Sequence, residues 1–308
     1  MSRSARLLAA ATLSTFAFHA AAAPLVSESF DYTLNANAAG QNGGTGWAVG
    51  SSWSLTPTPT SSATITEGLT FSSMPVSGNA LEINEDENDD EVAFLRRSFG
   101  NAVGQNGNFY VSYLIRQSRD ITPSFGNGTE FGHEFRETGA TGNPFLHGRA
   151  KRSGGFSGPY EAAIAVGNNL NADTTFDLPE DQTFLAVFAY ENIGLPNFTS
   201  EDTTSTFWLL SESDYDSVAA AGISKASLDT FNQASVVEFV EDPTFGTAEL
   251  TPTDLFGLLA ERGTVTYDEI RGGTELADVI AIPEPGSSAL LAAGLACLAG
   301  RRRHAQSA

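Results

Sequence analysis

The chain has 308 residues, 41% of them hydrophobic and 10% aromatic, which is material for a sizeable core and argues against disorder throughout. Sixteen Lys plus Arg stand against 37 Asp plus Glu, a net charge of −21, which argues against nucleic acid or an anionic membrane surface as partner. Charged residues are only 17%, and the 30 Gly, 13 Pro and 21 Phe lean the composition towards strands and turns.

The N-terminus reads as a secretory signal peptide over residues 1–22. Arg3 and Arg6 give a positive start, Leu7 to Phe18 an apolar stretch too short to span a bilayer, and Ala20 to Ala23 a small-residue run with cleavage expected after Ala22. Residues 23–281 form the main domain and 282–304 a C-terminal tail. From residue 24 to 281 there are 11 Lys plus Arg and 36 Asp plus Glu, a net charge of −25. The single cysteine, Cys297, lies in the tail, so the main domain has no disulfide and no thiol chemistry.

Period-two patterning predicts strands through the domain. Phe109, Val111, Tyr113 and Ile115 share one face, and Tyr110, Ser112, Leu114 and Arg116 the other. Phe131, His133 and Phe135 alternate with Gly132 and Glu134, while Thr183 to Tyr190 is nearly all apolar, as in a strand buried on both faces. Val92 to Phe99, Phe207 to Leu210, Val236 to Val240 and Thr264 to Ile270 are further strands, separated by clusters of Gly, Asn, Pro and Ser. Asp214 to Ala221, closed by Gly222, predicts a helix, and Leu255 to Ala260 reads as another turn of helix. Frequent strands without α-β alternation predict an all-β antiparallel sandwich.

The densest acidic run is Glu82 to Glu91. Its Glu87, Asp89 and Glu91 have the spacing of a catalytic carboxylate set on one strand face, but Asn88 and Asp90 between them deny that strand a buried side. The run therefore reads as a solvated or calcium-binding loop. It is not an EF-hand, because Glu91 stands where the loop glycine belongs and Arg97 at the twelfth position. His133 and His147 are too few for a zinc site, and His147, beside Arg149, Lys151 and Arg152, reads as a loop residue. No nucleophile elbow, phosphate loop or dinucleotide fingerprint occurs, so no catalytic residue is assigned. Trp208 falls in an apolar strand and reads as core. Trp47 and Trp53 flank a Gly-rich loop, where they either plug the fold or stack on a sugar ring as ligand-binding residues.

The tail has three parts in fixed order: Pro283-Glu284-Pro285, the apolar segment Gly286 to Gly300, and Arg301-Arg302-Arg303. At 1.5 Å per residue the apolar segment makes a helix of about 22 Å, short of the roughly 30 Å hydrocarbon core. The arginines stay cytoplasmic and the domain crosses to the other side. This arrangement resembles the PEP-CTERM sorting tail of Gram-negative bacteria. The resemblance implies export, transient inner-membrane insertion through the C-terminal helix, and cleavage near the Pro-Glu-Pro by an exosortase. It implies release to the cell surface or extracellular matrix, with extracellular polysaccharide as a possible neighbour.

Glu28-Ser29-Phe30-Asp31-Tyr32, the segment Gly40 to Trp47, and Tyr267-Asp268-Glu269-Ile270-Arg271 with Gly273-Thr274 resemble the laminin-G and concanavalin A-like jelly rolls that often precede such tails. Gly272 departs from the pattern, where a large apolar residue would continue the last strand. The resemblance implies that the first and last strands pair, bringing Asp31 near Asp268, and that calcium is held there by Asp268 with Glu28 or Asp31. No other cofactor is expected. The functional expectation is a non-catalytic glycan-binding or matrix protein. A glycoside hydrolase on the same fold and a purely structural matrix protein are the alternatives.

Overall fold

The computed structural model describes residues 23–282, apart from 57–60, 86–91, 104–106, 121–129, 137–145, 153–159, 167–170, 177–178, 194–203, 232, 239–250, 252–253 and 262. The signal peptide and the tail beyond Ile282 lie outside the described residues.

Among the described residues, fifteen strands form two antiparallel sheets. Sheet A joins β13 (Gln233–Glu238), β12 (Thr204–Leu210), β11 (Thr183–Ile193), β6 (Gly107–Asp120), β15 (Gly263–Gly273), β4 (Ala80–Glu85) and β3 (Ser62–Thr66) in that order, and β1 (Val26–Glu28) also pairs with β15. Sheet B runs β10 (Asn171–Phe176), β9 (Tyr160–Val166), β8 (Leu146–Arg152), β7 (Glu130–Arg136), β14 (Leu255–Glu261), β5 (Ala93–Ser98) and β2 (Ser54–Thr56). The antiparallel sandwich predicted from the alternation is the architecture observed, and the first and last strands do pair, Val26 with Gly272 and Glu28 with Ile270.

The two inner faces enclose the main core. Phe109, Val111, Tyr113 and Ile115 of β6 point into it, opposed by Phe131 and Phe135 of β7 and Phe256 of β14. Phe99, Phe109 and Phe135 meet edge to face with centroids 5.3–5.7 Å apart, the geometry favoured by ring quadrupoles. His133 is fully buried among these rings. Its Nδ1 lies 3.2 Å from the Tyr113 hydroxyl and its Nε2 2.9 Å from that of Tyr190. Burial depresses its pKa to about 3, so the imidazole is neutral in the folded protein.

Sheet A is buried on its outer face as well, which explains the unbroken apolar run of β11. A second cluster covers it, with Leu114, Leu185, Val187 and Trp208 below and Phe71, Tyr215 and Ile280 above. The lid consists of the 69–74 segment, α1 (Glu212–Ala221), α2 (Lys225–Leu228) and α3 (Leu276–Val279). Ser211 caps α1, its Oγ accepting from the Asp214 N–H while the Asp214 carboxylate accepts from the Ser211 N–H. The chain after α3 is fastened to this layer: the Ser112 hydroxyl donates to the Val279 carbonyl at 2.5 Å, and the Tyr215 hydroxyl to that of Ala281 at 2.6 Å.

Four local readings are revised. Leu255 to Ala260 is not helical but the strand β14, set centrally in sheet B between β7 and β5. Phe256, Leu258 and Ala260 alternate into the core, and that period of two outweighs the helix propensity of Leu and Ala. His147 lies on β8 opposite Glu134 rather than in a loop. Glu82 to Glu85 is strand as well, because Leu81 and Ile83 are buried in the core beside them; residues 86–91 lie outside the described residues. Gly272 does not end β15. A Cβ there would stand 2.7 Å from Val26 Cγ1 and 2.9 Å from Phe109 Cζ, so neighbouring side chains already fill the space where an apolar side chain was expected.

Candidate functional site

The terminal strands pair, yet Glu28 and Asp268 face opposite ways. In β15, Tyr267 pairs with Ile115 and points inward, while Asp268 pairs with Leu114 under the outer layer. The register then slips between Asp268 and Arg271 at a bulge where Glu269 has φ +48°. The extra residue turns Ile270 back inward, and Glu28, paired with Ile270, follows it. Asp31 is exposed. The expected calcium trio is therefore not gathered, and among the described residues no group of three or more His, Cys, Asp or Glu is placed to hold a metal.

Each of these carboxylates has another role. Asp268 is fully buried and accepts from the Leu69 N–H at 2.8 Å and the Glu269 N–H at 2.7 Å, tying the 69–74 segment to the bulge. Burial raises its pKa to about 8, against the pull of those two donors. Glu28 pairs with Arg97 at 3.1 Å and also accepts from Trp53 Nε1, the Tyr32 hydroxyl and the Phe30 N–H. Burial nonetheless pushes its carboxyl up. With a guanidinium and three neutral donors around it, Glu28 is already fully partnered within the fold.

Trp47 and Trp53 belong to the same plug. They are 8% and 1% exposed and meet edge to face at 5.1 Å, with the Arg97 guanidinium 5.1 and 5.9 Å from their rings. Arg97 also donates to the carbonyls of Asn42 and Gly43, which ties the Gly-rich loop down over the rings. The plugging role is the one observed, and neither indole is open for a sugar to stack on.

The polar array that sequence reasoning missed lies on the outer face of sheet B. Among the described residues the three helices pack on sheet A, not on this face. Alternation sends Phe131, His133 and Phe135 inward and Glu130, Glu134 and Arg136 outward. Across the strands, Gly257 of β14 pairs with both Arg96 of β5 and Glu134 of β7. A Cβ on Gly257 would stand 2.9 Å from Arg96 Cγ and 3.3 Å from Glu134 Cγ, so its absence lets Arg96 lie across β14. Arg96 Nε then donates to Glu134 Oε1 at 2.7 Å, and Arg136 Nε donates to the same oxygen at 2.8 Å. Arg149 Nη2 is 3.7 Å from Glu134 Oε2, and its Nη1 donates to Glu130 at 2.9 Å. The Phe94 ring props the Arg96 and Arg136 guanidiniums at 4.1 and 5.6 Å. Glu134 is completely buried, while the three arginine side chains are 14–20% exposed. The clue in the sequence was the alternation of Glu134 with inward aromatics, together with arginines on the paired strands.

Fold and site together define an antiparallel two-sheet sandwich with one face closed by helices and the other dressed with arginine and glutamate. Residues 281–303 match the family model described as the PEP-CTERM protein-sorting motif, whose Pro283, Glu284, Pro285 and Arg301 to Arg303 lie almost wholly outside the described residues. The chain thus carries an exosortase sorting signal, as an exported protein that passes through the membrane to the surface of a Gram-negative bacterium. Among the described residues no helix is long and apolar enough to cross a membrane. No curated protein matches the sequence. Similar solved structures include an endo-β-1,4-glucuronan lyase from the fungus Trichoderma reesei, 13% identical over 80% of this chain and 98% of that one, with a TM-score of 0.46. The cellulose induced protein Cip1 is 13% identical over 72% of this chain and 91% of its own, with a TM-score of 0.41. The carbohydrate recognition domain of Emp47p is 10% identical over 79% and 95%, at 0.38.

Proposed function

We propose that this is an exosortase-sorted surface or matrix protein whose sandwich domain binds glycan without cleaving it, through the outer face of sheet B. The observation that carries this reading is the contrast between the two outer faces: the helical layer closes sheet A, whereas sheet B presents a fixed polar array. Ion pairs and ring stacking hold the array before any ligand arrives, which lowers the ordering cost of binding. The test is the full chain, purified in detergent, on a glycan array and then incubated with each glycan that it retains. Retention without new reducing ends is expected. Failure to retain any glycan would overturn the reading.

One observation favours a hydrolase instead. Glu261 of β14 stands directly across from Glu130 of β7, and both are buried. Opposed residues have Cβ atoms about 4.5–5.5 Å apart, so the two carboxyls stand as neighbours, as the paired acids of a glycosidase do. We favour binding because Arg149 already donates to Glu130. New reducing ends that vanish in Glu130→Gln would reverse that preference.

A further inference from the structure

Three guanidinium groups reach the buried carboxylate of Glu134, and Arg149 also pairs with the buried Glu130, in a chain whose net charge is −21. The face is also graded. Arg136 and Arg96 occupy one end, Arg149 the middle, and Glu130 with Glu261 the other end. Two buried polar atoms in the middle have no hydrogen-bond partner: Glu134 Oε2, an acceptor, and Arg149 Nε, a donor. They belong to side chains 3.7 Å apart at their nearest charged atoms.

That pairing selects a ligand chemistry. A simple anion such as sulfate satisfies the donor but sets its own oxygens against Glu134. A neutral sugar satisfies the acceptor with a hydroxyl but offers Arg149 Nε only an uncharged acceptor, a weaker hydrogen bond than a carboxylate gives. A sugar acid does both, since its carboxylate accepts from arginine while a neighbouring ring hydroxyl donates to the glutamate. Arginine suits a planar carboxylate because its fork of donors matches the two oxygens. Resting on the glycan-binding reading above, we propose that the array of Arg96, Arg136, Arg149 and Glu134 is a binding site for acidic polysaccharide of the uronic acid class. Gly257 is part of that site, since the bare backbone there gives Arg96 its path to Glu134.

The test is calorimetric titration of the full chain in detergent with a β-1,4-linked hexamer of glucuronic acid, the matching hexamer of glucose, and inorganic sulfate. The acidic hexamer is expected to bind at least about tenfold more tightly than either control and to weaken as sodium chloride is raised. Arg96→Gln and Arg149→Gln should each lower that affinity about tenfold and leave the glucose hexamer unaffected. Arg96 lies towards the edge of the sheet, so Arg96→Gln decides the matter if Arg149→Gln does not fold. Equal, salt-insensitive binding of both hexamers would overturn the acidic class while leaving glycan binding in place. Binding of neither hexamer, with retention of other glycans on the array, would likewise refute this site alone. Full affinity in both folded variants would move the site elsewhere.

Discussion

Asp268 makes stability depend on pH in a direction opposite to that of an ordinary salt-bridged carboxylate. Its pKa is about 8 in the folded protein, against 3.8 for the free side chain. Between those values the folded state holds a proton that the unfolded chain has released, so stability falls as pH rises. The slope approaches about 1.4 kcal/mol per pH unit. His133 acts in the other sense, because its folded pKa of about 3 lies below the ordinary 6.5, and it adds stability as pH rises through that interval. The two oppose each other up to pH 6.5; above it His133 adds nothing, and Asp268 and Glu28, whose pKa burial also raises, act in the same sense. From pH 6.5 to 8 the loss from Asp268 is at most about 2 kcal/mol, or roughly 4–8 °C of melting temperature for a domain of this size. Ordinary carboxylates are already ionised there and add no slope. Thermal melts in buffers matched for ionic strength, on the wild type and Asp268→Asn, measure the effect. A fall in Tm across that window in the wild type and a shallower profile in the variant are expected. A flat or rising wild-type profile, or an unchanged slope in Asp268→Asn, would refute the reasoning.

Arg97→Ala leaves Glu28 buried without its cation and is expected to cost about 3–5 kcal/mol, whereas Arg97→Ala combined with Glu28→Gln recovers part of the loss; urea denaturation of the three proteins gives the comparison. Gly272→Ala forces a methyl against Val26 and Phe109 and is expected to destabilise by about 1–3 kcal/mol, read from the same midpoint. Changing Pro283, Glu284 and Pro285 to alanines should leave an uncleaved precursor in the inner membrane, seen on immunoblots of fractionated cells. Normal size and release of that mutant would mean that sorting does not depend on the motif.

The strands of β6, β7 and β11 were legible because each has an unbroken period or an unbroken apolar run, and the pairing of the first and last strands was legible from the resemblance. Leu255 to Ala260 was not, because a short apolar run has the same composition in a buried strand as in a helix turn. One residue keeps Glu28 and Asp268 on opposite faces. A bulge at Glu269 shifts the side-chain alternation, and no pattern in Tyr267-Asp268-Glu269-Ile270 announces a residue with positive φ. The arginine array stayed hidden for a topological reason. Arg96, Glu134, Arg149 and Gly257 lie far apart in sequence and meet only through the strand order β8-β7-β14-β5. Alternation predicts that Glu134 leaves the core, but not which strands flank it.

The fastening of Val279 and Ala281 to the helical layer leaves Ile282 alone between the folded body and Pro283. The body is thus secured up to the residue before the sorting motif, so whatever recognises Pro283-Glu284-Pro285 meets a motif that directly follows folded chain. That fastening lies on the helical side of the sandwich, away from the arginine-bearing outer face of sheet B.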